Sequence, residues 1–327
     1  MRFDKLHSLG AIAATTATLA ASLAFAPAAF AETYATNVAL GSGSTVLAPV
    51  TIDQKADAEA GIAAVIRIRE DALNDTNVKW REVTSDGIFV GERTVAEYLE
   101  AHNISRETYL SPKRSEALEN IAVQRAAEMS AVGEMSHTRP NGDLWDSATY
   151  GGRSALSESI AWGVRDIAGA IDLWASEKQA FIDDRSFAEI GHYQMLINPA
   201  YTAYGFSGTD AYWAGEAGRA DESTSYVDVA GDYEVAVNLP SADVKKDAVL
   251  DTTSVAVGEA TQLKASYNGM EIVAKSWASA DEKVFSVDEK GTATGVSLGK
   301  AGLTLATSDG TEIPFTLISG AREMYRL

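Results

Sequence analysis

Residues 136–142 read Ser136-His137-Thr138-Arg139-Pro140-Asn141-Gly142, and three more short segments follow in order: Ser157-Glu158-Ser159-Ile160, Trp174-Ala175-Ser176-Glu177 and Gly191-His192-Tyr193-Gln194. Around them the periodicity sets the architecture. Upstream, Ser111-Pro112 opens the strongest helical pattern, from about Lys113 to Val132, with Leu118, Ile121, Ala122, Met129 and Val132 on one stripe and charges elsewhere. Earlier helices are signalled from Ala56 until Asn74-Asp75 breaks the run, and at Thr94-Val95-Ala96-Glu97, a capping box. Another helix is expected from about Arg165 to Phe181, with Ile167, Ile171, Trp174 and Phe181 on one face. Glu177, one turn after Trp174, sits at the edge of that stripe, where a carboxylate can look into a cleft. Alternating segments on either side of Gly208-Thr209-Asp210 read as a hairpin. Helices followed by strands predict an α+β unit.

The chain has 327 residues, 46% hydrophobic and 22% charged, an ordinary globular composition, and its length suits two folded units. With 27 Lys+Arg against 46 Asp+Glu the formal charge is −19, so nucleic acid and anionic membrane surfaces are poor partners. There is no cysteine, which excludes disulfides, thiolate metal sites and a cysteine nucleophile. Residues 1–31 read as a secretory signal: Arg2 and Lys5 start it, an Ala/Leu-rich run follows, and Ala29-Phe30-Ala31 is a small-x-small cleavage site. An uncleaved anchor is the alternative. Cleavage before Glu32 removes Arg2, Asp4 and Lys5 and takes the charge from −19 to −20. No later apolar run has the roughly 18 residues needed to span a membrane, and export without cysteine suggests a secreted bacterial protein.

Residues 32–55 are rich in Ala, Thr, Gly and Ser and are expected to be a linker. An acidic, pattern-poor stretch, 221–245, reads as a second linker. Between them, 56–220 is the first folded unit. In 246–320 short Val/Thr/Leu segments alternate with turns at Val257-Gly258, Asn268-Gly269, Glu289-Lys290-Gly291 and Asp309-Gly310, which predicts an all-β sandwich.

Histidine is scarce: His7 lies in the signal, leaving His102, His137 and His192. His102 ends an exposed helix and reads as a surface residue. Taken singly, His137 and His192 are more often structural than ligating, and Glu158 and Glu177 more often solvated. Gly295-Val296-Ser297-Leu298-Gly299 matches the nucleophile-elbow pattern, but no helix signal and no histidine follow it. There is no helical zinc motif, phosphate loop or dinucleotide fingerprint.

The four quoted segments, with the helix Asn120-Ile121-Ala122-Val123-Gln124-Arg125-Ala126-Ala127-Glu128, resemble the CAP (SCP-like) superfamily over about 110 residues. The resemblance implies a CAP-type α-β-α sandwich whose cleft gathers His137, Glu158, Glu177 and His192. As a tetrad these four could hold a ligand or a divalent metal such as zinc. Ser157 and Ser159 stand where the family often has glycine and asparagine, and Asn141 where aspartate is common.

The C-terminal unit resembles the group 2 bacterial immunoglobulin-like domain. The resemblance rests on Ser254-Val255-Ala256-Val257-Gly258-Glu259, Lys275-Ser276-Trp277-Ala278-Ser279-Ala280-Asp281, Val284-Phe285-Ser286-Val287-Asp288 and Gly291-Thr292-Ala293-Thr294-Gly295-Val296 followed by Gly299. It implies an interaction module, with a core of Val255, Leu263, Trp277, Val284, Val287, Val296, Leu303 and Leu305. The expected function is ligand or metal binding by a secreted CAP-domain protein, with an unknown small ligand or cell-surface component as partner. Alternatives are a metal-assisted hydrolase with a histidine ligand and a glutamate base, and an adhesin with a vestigial cleft.

Overall fold

The computed structural model describes residues 32–83, 89–184, 186–220 and 226–321. The expected signal, 1–31, lies outside the described residues. A four-stranded sheet organises the first half, in the order Lys113–Arg114, Ala203–Thr209, Tyr212–Gly218, Ser157–Trp162. Its central hairpin turns at Asp210, which takes a left-handed φ of 53°. Successive strand residues face opposite sides, and two neighbours show what lies on each. A Cβ added to Gly205 would lie 2.1 Å from the main-chain carbon of Leu118, so the helix Glu116–Val132 rests directly on the sheet there. Phe206, on the other side, meets Gly61 of the helix Gln54–Asn74. Trp174, from the helix Ile167–Ala175, also packs against that side at Gly215. Helices thus cover both faces of the sheet.

The helix Glu116–Val132 begins later than its sequence pattern suggests. Lys113–Arg114 pairs in parallel with Ala203–Tyr204, and the Ser115 side chain accepts the Leu118 amide as the N-cap. Nor does it show one buried stripe: every residue from Ala117 to Met129 is buried. The reason lies on its far side, where Val123 and Ala127 join a cluster with Val46, Ala48, Val50, Val235 and Val237. Those valines belong to a six-stranded sheet, ordered Glu32–Thr33, Ala230–Leu239, Ser44–Asp53, Met270–Ile272, Ala265–Tyr267, Val249–Leu250. The helix is clamped between two sheets, and its charges are buried with it.

Both stretches expected as linkers are therefore corrected in part. Within 32–55, Ser44–Asp53 is a ten-residue strand, and within 221–245, Ala230–Leu239 is its antiparallel partner along the whole length. Their inward residues alternate, Val46, Ala48, Val50 and Ile52 against Val235, Val237 and Leu239, behind outward Thr, Pro, Asp and Glu. The short helix Ser241–Asp247 follows. The helix expected over 165–181 is also two: Ile167–Ala175, capped by Asp166, and Lys178–Ile182, with Ser176 and Glu177 at the break.

Residues 254–320 form a four-stranded sheet, Ser254–Ala256, Glu312–Gly320, Gly299–Thr307, Ala274–Ser279, and a three-stranded one, Ala260–Gln262, Thr292–Gly295, Phe285–Val287. Val255, Leu263, Trp277, Leu303 and Leu305 are buried together with Phe285 and Leu317, and Val284 and Val287 pack partly buried against them. Val296 does not join this core: it is 48% exposed, just past the strand Thr292–Gly295. Ser297, in the elbow-like pattern, donates its hydroxyl to the Lys283 carbonyl, as a turn serine would. Asn268 and Gly269 both take positive φ and close a two-residue hairpin between Tyr267 and Met270. That hairpin carries Glu271 and Ile272 into pairing with Leu47 and Val46. Among the described residues no helix is long and apolar enough to cross a membrane.

Candidate functional site

His137 lies in the loop after the clamped helix, with its side chain 51% exposed. Its Nδ1 is 2.7 Å from Glu158 Oε1. Glu158 stands on the strand Ser157–Trp162 with its side chain fully buried, and its Oε2 accepts from Arg125 Nε at 2.6 Å. Burial would raise the Glu158 carboxyl. The His137 bond and the Arg125 guanidinium outweigh it and hold the group below the ordinary glutamate range.

His192 is built differently. It sits on the helix Phe187–Ile197, with Nδ1 2.6 Å from Glu177 Oε1. Glu177 Oε2 accepts the main-chain N–H groups of His192 at 2.9 Å and Tyr193 at 3.1 Å. The break before Lys178 gives Glu177 this reach, since a continuous helix would carry it past the site. The imidazole stacks on Trp174 with ring centroids 6.3 Å apart, and the indole is fixed by donating to the Ile160 carbonyl. The helix carrying His192 is anchored at its end by Arg69, buried and donating to the carbonyls of Tyr109, Leu196, Asn198 and Tyr201.

Both histidines and Glu158 line one cavity of about 750 Å³, whose rim includes Leu144, Leu156 and the 73%-exposed Phe187. Glu177 sits behind His192, outside the lining. The four expected residues thus form two imidazole–carboxylate pairs. An ionised carboxylate can only accept, so a ring paired with one donates from Nδ1, and when that ring is neutral its Nε2 holds the lone pair. The third histidine stands apart: His102 caps the helix Val95–Ala101, stacks on Tyr98 and contacts Glu82. Arg125, Glu128, Arg139 and Glu216, all buried near Glu158, were not expected as part of the site. Arg125, Glu128 and Arg139 did lie within the segments that carry the family resemblance, and Glu216 was signalled only by a charge within an otherwise apolar strand.

Residues 99–210 match the profile of CAP, the cysteine-rich secretory protein family, and the matched span contains all four site residues. No curated protein matches the chain. Among solved structures, an extracellular protein containing a SCP domain from Bacillus anthracis str. Ames is 19% identical at a TM-score of 0.27, covering 39% of this chain and 38% of that one. An EHEC O157:H7 intimin mutant is 21% identical at a TM-score of 0.18, covering 21% of this chain and 36% of that one. A C-terminal 282-residue intimin fragment in complex with the translocated intimin receptor's intimin-binding domain is 20% identical at 0.20, covering 35% and 45%. The chain spans less than half the length of each of these structures.

Proposed function

We propose, for a chain that carries a CAP domain over residues 99–210, that it is a secreted protein whose cleft binds a divalent cation or a small ligand through Nε2 of His137 and His192. The observation that carries this is the pairing of each Nδ1 with a glutamate beside a shared cavity. Carboxylate-backed imidazoles are the arrangement by which proteins fix a histidine's tautomer and raise its basicity toward a metal. Two nitrogen donors suit a borderline ion such as Zn²⁺. Among the described residues no group of three or more His, Asp or Glu is placed to hold an ion, so water or the ligand itself would complete the coordination shell.

Glu158 and Glu177 act behind the imidazoles rather than as ligands, since the oxygens of both are taken up by hydrogen bonds. The same engagement weighs against a hydrolase that uses Glu158 or Glu177 as its general base. The leader-like sequence of residues 1–31 supports secretion. The four- and three-stranded sheets around Trp277 support an immunoglobulin-like interaction module. Calorimetric titration of the metal-free protein with Zn²⁺ tests the cleft. Binding in the wild type that falls at least tenfold in both His137→Ala and His192→Ala is expected. Absence of heat and of retained zinc, or variants that bind zinc as tightly as the wild type, removes the metal.

A further inference from the structure

A half-exposed imidazole on a loop should sample several orientations, yet His137 is bracketed by two buried attachments. Arg125 Nη2 donates to the carbonyl of Ser136, the residue just before it, at 2.7 Å. The same guanidinium donates through Nε to Glu158, the carboxylate that receives the His137 ring. On the other side of the histidine, the Arg139 guanidinium is buried against Glu128, with Nη2 to Oε1 at 2.6 Å. Glu128 closes the circuit by accepting from Arg125 Nη1 at 2.7 Å.

We propose that Arg125 is the positioning residue of the His137 arm, one planar guanidinium holding both the loop that carries the imidazole and the carboxylate that orients it. Three acceptors in different directions demand a fork of N–H donors. A lysine supplies the same charge at a single point and cannot reach all three. His192 needs no such device, because its glutamate is held by main-chain N–H groups of its own helix. The two arms are therefore separable: loss of Arg125 frees His137 and leaves His192 in place.

The inference rests on the two histidines being the working groups of the cleft, and its test needs no metal. Nitrogen NMR of ¹⁵N-histidine-labelled, metal-free protein at one fixed, mildly alkaline pH reads the tautomer of each ring. In the wild type both rings should be Nδ1–H. In Arg125→Lys, His137 should shift to the Nε2–H form usual for a free imidazole while His192 stays Nδ1–H. Glu128→Gln, which loosens Arg125 without touching Glu158, should move His137 the same way by less. A general structural role would disturb both rings together. A folded Arg125→Lys protein with His137 unchanged, or both rings shifted equally, overturns the proposal, as does a wild-type His137 already in the Nε2–H form. A wild type that binds no zinc would count against the metal and leave these ring states to be read.

Discussion

Glu158 and Glu216 stand directly opposite each other on neighbouring antiparallel strands, both buried, and their protonation is displaced in opposite directions. Glu158 has a guanidinium and an imidazole beside it and is held as a carboxylate. Among the described residues no donor is placed against either oxygen of Glu216. Burial first, and then the charge of Glu158, push its carboxyl well above the ordinary range. Across one strand pair, one carboxyl is thus pulled down by its partners and the other pushed up by burial.

The two groups act oppositely on stability. Between the ordinary glutamate value of 4.5 and its raised folded value, Glu216 holds a proton that the unfolded chain releases, so its contribution is full below that window and is lost as pH rises through it. Glu158 contributes above its ordinary value and loses that contribution as pH falls through its depressed one. Glu216→Gln, which fixes the neutral state, should therefore melt above the wild type at about pH 8, with a gap that shrinks toward about pH 4.5. Thermal melts across that range check it; a gap that grows as pH falls contradicts the assignment.

Glu128 is shared by two buried arginines, Arg125 and Arg139. Glu128→Ala leaves both guanidinium groups without it in the interior, a situation that costs about 3–5 kcal/mol. Urea unfolding at neutral pH measures this. A loss under about 1 kcal/mol would mean that water or another acceptor replaces the carboxylate.

At Gly205 the sheet and the clamped helix touch through main chain, with an added Cβ placed 2.1 Å from the Leu118 carbonyl carbon and 2.3 Å from the Glu119 nitrogen. Neither backbone can rotate away. Gly205→Ala should destabilise by about 1–3 kcal/mol or more, from overpacking alone. Gly152→Ala, with open space around it but a φ of 80°, should lose about 1 kcal/mol through backbone strain. Comparing their urea midpoints separates the two causes.

Residues 249–250, 265–267 and 270–272 complete a sheet begun by Ser44–Asp53, and Val273 donates to the Thr45 carbonyl. A fragment of residues 245–327 loses that partner. It should melt without the cooperativity of the whole chain, and the intact protein should show one calorimetric transition over these parts. Two independent transitions, with a fragment as stable as the parent, would restore the tethered arrangement expected from the acidic stretch.

What the sequence settled by itself is local. Thr94 and Glu97 form both bonds of the capping box, Asn268-Gly269 makes its tight hairpin, and Trp277 enters a core. Each of these is written within a few neighbouring residues. The pairing of His137 with Glu158 and His192 with Glu177 was foreshadowed only through the order of four motifs, because spacing does not say which oxygen meets which nitrogen.

Only the tertiary structure decided the rest. Thr45 bonds Asn238 across 193 residues of chain, and no composition bias near either end announces a partner so distant. Arg125 and Glu128 look like the wet face of an amphipathic helix until Arg125 meets Glu158 of the four-stranded sheet and the second sheet packs on Val123 and Ala127 beside them. Charge on a helix is stable in water or in a fully paired interior alike. Which of the two it occupies depends on what packs above it, and that is set by strands from both ends of the chain.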